Sequence, residues 1–231
     1  FEIIAHLMVG SEGTLAFLAG VTMRTEREYE HKASAMVYFS DIGEASRAVV
    51  EMRKLQDAAG ERIVHSAEML DSKSLASVGD ATGEGLTAVL TETKAHTPEE
   101  LAANVARIGE LLGRFALYVP ARFTDDPAEQ AKYWAVRSGI FPAVGGSRPA
   151  GTTCLIEDVA FHIEDLPRAT AELQALIARH GYDDACIYGH ALEGNYHFII
   201  NQSFSTPAEV ARYEALMNDV AELVVGRYDG S

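Results

Sequence analysis

The stretch Gly189-His190-Ala191-Leu192-Glu193-Gly194-Asn195-Tyr196-His197-Phe198 constrains this chain more than any other. Ile187 and Tyr188 lead in with strand-forming side chains, Phe198, Ile199 and Ile200 lead out, and Glu193-Gly194 reads as a two-residue loop where glycine supplies a positive φ. A hairpin places antiparallel neighbours in the sheet, which counts against a purely parallel βαβ layout. Counting from that loop pairs Leu192 with Asn195, Ala191 with Tyr196 and His190 with His197. The two imidazoles then face each other on one side of the ladder, with Cβ atoms about 5 Å apart. Both can bind one metal ion from there, given a third ligand from elsewhere, while a plain cross-strand histidine pair fits the same pattern.

Strands and capped helices alternate through the rest of the chain. Phe1 to Ile4 opens apolar, and residues 15–24 read as a strand-like stretch ending Val21-Thr22-Met23-Arg24. Ala35–Phe39 reads as a strand, and Asp41 with Glu44 caps a helix with Val49, Val50, Met52 and Leu55 on its apolar side. Ile63–Leu70 leads into a short helix over Ser72–Val78, a Gly-rich connection spans Gly79–Gly85, and Leu86–Leu90 is a strand. Thr97-Pro98-Glu99-Glu100 starts a helix whose stripe is Leu101, Val105, Ile108 and Leu112. Leu117–Ala121 reads as another strand, and Asp126 caps a helix carrying Tyr133, Trp134 and Arg137 that breaks at a loop from Phe141 to Pro149. Cys154–Phe161 is a strand, and Leu166, Thr170, Leu173 and Ile177 mark a helix ended by Gly181. Thr206-Pro207-Ala208-Glu209 opens the last helix, with Val210, Tyr213, Met217, Val220 and Val224 as its stripe, repeating the Thr-Pro-x-Glu device of the first half. The expected fold is α+β: a ferredoxin-like antiparallel or mixed sheet with helices packed on one face.

Three clusters carry candidate chemistry. The histidine hairpin holds His190, His197 and Asn195. Arg137 and Arg148, the latter beside the Gly145-Gly146 pair, are candidate clamps for a small carboxylate, with surface ion pairing as the plain alternative. Glu157 and Asp158 are neighbours on a strand and point to opposite faces, so they cannot share a substrate atom, but one can orient a ligand histidine. His6, His31, His65, His96 and His180 lack partners at ligand spacing. The net charge of −15 argues against nucleic acid or an anionic membrane as partner, so an anionic substrate needs local positive charge. No apolar run approaches the roughly 20 residues that span a bilayer. Cys154 and Cys186 share no metal or redox spacing and suit reduced thiols in a cytosolic protein.

Gly10-Ser11-Glu12-Gly13-Thr14-Leu15 and the histidine hairpin, taken together, resemble the FAD-linked oxidases of the vanillyl-alcohol oxidase type, most of all their D-lactate, glycolate and D-2-hydroxyglutarate dehydrogenase branch. Trp134-Ala135-Val136-Arg137 and the words from Gly151 to Ala160 resemble the large members fused to an iron–sulfur domain. The resemblance implies that residues 1–25 end an FAD-binding domain, with Gly10, Ser11, Glu12, Gly13 and Thr14 lining the cofactor, and that 26–231 form the substrate-binding, or cap, domain. It implies an FAD-dependent D-2-hydroxyacid dehydrogenase: His190 and His197 as catalytic ligands of a divalent metal such as zinc, Arg137 on the substrate carboxylate, and Asn195 beside it. A second anchor at Arg148 would suit a diacid. Electrons would pass to a quinone or cytochrome, in the cytoplasm or peripherally at the inner membrane, and any iron–sulfur cluster would belong to the full-length protein. The family's Gly-Asp-Gly-Asn tip is here Leu192-Glu193-Gly194-Asn195, and the chain ends where the family continues into a Glu-His-Gly segment carrying a third metal ligand, so it is expected to be truncated and inactive alone. The alternatives are a non-catalytic ferredoxin-like domain that binds a metal or small carboxylate, and an interaction domain with a structural histidine pair.

Overall fold

The computed structural model describes residues 2–25, 28–80, 83 and 85–231. Helix α1 (Glu2–Met8) precedes β1 (His31–Phe39), α2 (Ile42–Arg53), β2 (Ser66–Leu70), α3 (Ser72–Ser77), β3 (Thr87–Ala95) and α4 (Pro98–Leu112). Then come α5 (Pro127–Ser147), β4 (Thr153–Ala160), α6 (Leu166–Arg179), β5 (Cys186–Gly189), β6 (Asn195–Gln202) and α7 (Pro207–Ala221), which runs on into a π-helical turn over Glu222–Arg227. The six strands form one sheet in the order β1-β3-β2-β5-β6-β4, and every pairing is antiparallel. A parallel layout is therefore excluded.

The chain is a doubled unit. In β1-α2-β2-β3-α4 and again in β4-α6-β5-β6-α7, the third strand pairs with the first and the second. The Thr-Pro-x-Glu motifs fall at equivalent points: Thr97 and Thr206 each accept from the backbone N–H of the third helical residue, while Glu100 and Glu209 reach back to the cap, closing two capping boxes. The halves meet where Met69 pairs with Gly189 and Leu70 with Tyr188. Asp71 prolongs this seam: its Oδ2 accepts from Ile187 N at 2.9 Å and its Oδ1 from Ser74 N at 2.8 Å, which also caps α3. Burial pushes the Asp71 carboxyl above its usual range, and these N–H donors oppose the push.

Period-two alternation along the strands sends Val37, Met69, Val89, Ile187 and Phe198 into a core with α2, α4, α6 and α7. Helices on one face are thus the main layer. Met36, Leu70, Leu90, Tyr188 and Ile199 face the other way, toward α3 and the length of α5 (Ile140, Val144). This second layer roofs the face that carries the histidines.

Several local expectations change. Residues 15–24 form no strand, and α1 occupies the start of the chain instead. Leu117–Ala121 makes only an isolated bridge, Phe39 with Leu117, because Phe115 and Leu117 pack at the rim of the core rather than along a sheet edge. The expected loop from Phe141 is the C-terminal third of α5, which continues through Pro142 to Ser147. Ile140 and Val144 are buried on either side of that proline, so tertiary packing outweighs the local helix-breaking tendency. The buried face of α7 is Leu216 and Val220, continued by Leu223 and Val224, whereas Val210 is exposed. Phe1, Glu26 and Arg27, and Ala81, Thr82 and Glu84 of the expected Gly-rich connection lie outside the described residues.

Because the two capping boxes are far apart in sequence and sit on different helices, Thr97→Ala and Thr206→Ala are each expected to cost about 1 kcal/mol, and the double variant about their sum. Urea unfolding of the three variants checks this. A loss well below half that value in both single variants would show that the caps are redundant with packing.

Candidate functional site

The hairpin is real but wider than its sequence suggests. The ladder pairs Cys186 with Ile199, Ile187 with Phe198 and Tyr188 with His197. His190 lies beyond the strand end, and Ala191–Glu193 is a 3-10 turn closed by Gly194 in the left-handed region (φ 73°). The five-residue connection over 190–194 follows from Leu192. Leu192 does not stand at an exposed tip but is buried in the main core, pulling the turn inward. A Cβ on Gly194 would sit 2.1 Å from the Phe161 carbonyl, so this position needs glycine for space as well as for φ. Outside, Glu193 ties the turn to Arg62 at 2.7 Å and to Arg53 at 3.4 Å.

The register slips by two residues rather than one, and an even slip keeps every side chain on its face. His190 and His197 are therefore diagonal neighbours instead of directly opposed, yet their ring centroids are only 5.3 Å apart, at an interplanar angle of 85°. Each ring presents Nδ1 to a carboxylate. His190 Nδ1 is 2.6 Å from Glu68 Oε1, and His197 Nδ1 is 3.3 Å from Asp158 Oδ1. Asp158 is held in turn by Asn195 Nδ2, which donates at 2.6 Å. That pattern suits histidines whose Nε2 atoms are kept for another partner. Burial lowers the His197 pKa below the ordinary imidazole value, with Asp158 opposing and His190 and Arg137 reinforcing the shift. A neutral ring is the form that can accept a metal. Among the described residues, however, no group of three or more His, Cys, Asp or Glu side chains is arranged to hold a metal ion. Among the described residues, two imidazoles are what the cluster brings together.

Arg137 reaches the same place from α5. Its Nε donates to Glu68 Oε2 at 2.8 Å, and its guanidinium carbon lies 4.6 Å from the centroid of the Tyr188 ring. Tyr188 is itself 5.4 Å, ring to ring, from His197. Among the described residues the terminal guanidinium nitrogens have no hydrogen-bond partner, so they remain able to take a carboxylate bidentately. Glu68 is the member that spacing could not reveal. It is a lone acid in an apolar strand, and its side chain is only 6% exposed between two donors.

The other candidates fall elsewhere. Glu157 turns to the opposite face and accepts from Tyr213 Oη at 2.7 Å, as strand alternation requires. Arg148 closes α5 by donating to the Thr152 and Gly145 carbonyls. It lies three turns from Arg137, about 16 Å along the axis, and is not brought to the cluster. Gly10, Glu12 and Gly13 all have positive φ, and the hydrogen bonds of the 10–14 loop are local. A Cβ on either glycine would meet nothing within 4 Å, so this backbone is open for a group to approach. Cys154 and Cys186 are free thiols. No helix among the described residues is long and apolar enough to cross a membrane.

Of the remaining histidines, His65 and His96 flank Tyr29, one edge-on at 4.9 Å and the other stacked at 4.6 Å. His65 Nδ1 accepts from Lys94 N at 3.1 Å, and burial, helped by the Lys94 charge, lowers its pKa. An imidazole with a lowered folded-state pKa binds its proton less readily than in the unfolded chain, so it removes stability as pH falls below about 6.5. His65→Asn, which keeps an acceptor near Nδ1, is expected to flatten the loss of stability between about pH 7 and 5.5. Denaturant midpoints across that range check it, and an unchanged slope would place the shift elsewhere.

The sequence profile of the FAD linked oxidases, C-terminal domain, matches residues 28–231. Glycolate oxidase subunit GlcD of Escherichia coli (strain K12) is 27% identical over 229 residues, 97% of this chain and 44% of that protein. The mitochondrial D-lactate dehydrogenase (cytochrome) of Arabidopsis thaliana is 25% identical over 224 residues, 92% of this chain and 36% of that protein. The chain thus spans less than half the length of these curated relatives. Among solved structures, an alkyldihydroxyacetonephosphate synthase shares the fold with a TM-score of 0.67 at 15% identity, over 98% of this chain and 44% of that one. The profile match covers both halves of the doubled antiparallel unit, and the chain belongs to the FAD-linked oxidase family through its C-terminal domain.

Proposed function

We propose that this chain supplies the substrate-binding face of an FAD-dependent dehydrogenase that oxidises a small D-2-hydroxyacid to the 2-oxoacid. The observation that carries this is the convergence of Arg137, His190 and His197 on one sheet face under α5. Glycolate and D-lactate, from which two of the relatives take their names, are both 2-hydroxyacids. They share a carboxylate beside a hydroxyl, which is what one guanidinium and a histidine pair can address together.

Arg137 takes the carboxylate through its terminal nitrogens, its own aim set by Glu68 and the Tyr188 ring. His190 and His197 offer Nε2 to a divalent ion, zinc being well suited to two imidazoles. Such an ion, when bound, acts as a Lewis acid that lowers the pKa of the 2-hydroxyl. Asn195 and Asp158 keep the His197 ring oriented. Gly10, Ser11, Glu12, Gly13 and Thr14 line the flavin, where an open backbone with left-handed glycines lets ring or phosphate come close. FAD, when bound, would supply the acceptor for the hydride leaving C2, the 2-hydroxyl proton would pass to solvent, and a quinone or cytochrome would take the electrons.

In the intact flavoprotein, a D-2-hydroxyacid is expected to bleach the oxidised flavin band and its L-enantiomer to leave it unchanged. Arg137→Lys, which loses the bidentate grip, is expected to lower kcat/KM about 10- to 100-fold, mainly through KM. Equal bleaching by both enantiomers, or by no 2-hydroxyacid tried, would remove the proposal.

A further inference from the structure

We infer that Glu68 is a positioning residue that makes the carboxylate anchor and the histidine pair one unit, setting the aim of Arg137 and the tautomer of His190 through the two oxygens of a single carboxylate. Its metal-related consequence rests on the function proposed above; the tautomer does not.

Glu68 lies on β2, bordered on both sides by antiparallel partners, with the neighbouring Ala67, Met69 and Leu70 buried. Its backbone therefore cannot shift without disturbing the centre of the sheet. Oε2 accepts from Arg137 Nε and Oε1 faces His190 Nδ1, while Ser66 Oγ makes a marginal contact at 3.5 Å. Both oxygens are occupied and the side chain is 6% exposed, so it is poorly placed to meet a substrate atom itself. His190 is different, with a side chain 53% exposed and in need of something to hold it.

The proton arrangement follows from donor and acceptor counting. Arg137 Nε is an obligate donor, because the guanidinium does not deprotonate. A carboxylate only accepts, so at neutral pH His190 meets it with Nδ1–H and keeps the Nε2 lone pair outward. A plain ion pair fastening α5 to the sheet would need Arg137 and Glu68 alone. The 2.6 Å approach of His190 to the second oxygen is what extends the role to the site.

Substitution separates the two roles. In Glu68→Gln the amide has one oxygen that accepts and one NH2 that only donates. Arg137 takes the oxygen, the NH2 turns to His190 Nδ1, and the ring must carry its proton on Nε2. If the ring swings into solvent instead, Nδ1–H is lost as well. Removing the competing cation, in Glu68→Gln combined with Arg137→Met, frees the amide oxygen for His190 and restores Nδ1–H.

The test is long-range proton–nitrogen NMR of the histidine rings in the full 231-residue chain, at a pH where they are neutral, with zinc titration by calorimetry alongside. Expected are Nδ1–H at His190 in the wild type, Nε2–H in Glu68→Gln, Nδ1–H again in the double variant, and zinc binding at least tenfold weaker in Glu68→Gln. Should Glu68→Gln fail to fold, Nδ1–H in both the wild type and the double variant supports the inference, and Nε2–H in either overturns it. An unchanged His190 tautomer in a folded Glu68→Gln overturns it too. A tautomer switch between the wild type and Glu68→Gln, with no zinc bound by the wild type, supports the positioning role and removes the metal from the proposed function. Equal zinc affinity in wild type and Glu68→Gln overturns the link from Glu68 to the ligand histidine.

Discussion

The antiparallel seam between β2 and β5 is the contact on which the rest depends. It is short, two ladder pairs prolonged by the Asp71 side chain to the Ile187 amide, and it joins the two halves of the doubled unit. Glu68 comes from one side of it, and Tyr188, His190 and His197 from the other. A buried carboxylate needs partners, and the seam brings it a guanidinium from α5 and an imidazole from the hairpin. Without this strand order His190 would lose the acid that faces its Nδ1, and only Asp158, opposite His197 on β4, would remain.

The two faces of the sheet divide the work. One is apolar and covered by α2, α4, α6 and α7, and accounts for most of the core. The other is only partly covered, by α3 and α5, and grades from apolar side chains near Leu70 and Ile199 to the polar group under Arg137. Partial cover leaves His190 accessible while Glu68 is sealed. A site of this kind can hold its anchors rigidly and still admit a ligand.

Capped helices and alternating strands were legible from local chemistry. Asp41, Thr97, Asp126 and Thr206 all cap the helices they mark, because a cap needs only its own residue and the N–H groups two or three positions on. Errors arose where a distant partner outweighed local preference. Pro142 and the Gly145-Gly146 pair suggested a break, but burial of Ile140 and Val144 against the sheet keeps α5 helical. Glu193-Gly194 suggested a two-residue turn, but core burial of Leu192 draws the whole 191–194 segment into the loop. Alternation placed Glu157 and Asp158 on opposite faces correctly, since that follows from strand geometry alone.

What the residues by themselves determined is the α+β class, the helix starts, the nearness of His190 to His197, and the likeness to the FAD-linked oxidases, all properties of short windows or ordered motifs. The tertiary structure alone decided that helices would cover both faces, that Arg137 rather than Arg148 would join the histidines, and that Glu68 would stand between them. Those outcomes depend on which strands become neighbours across more than a hundred residues. Strand order is set by the packing of the whole sheet, and no local pattern encodes it.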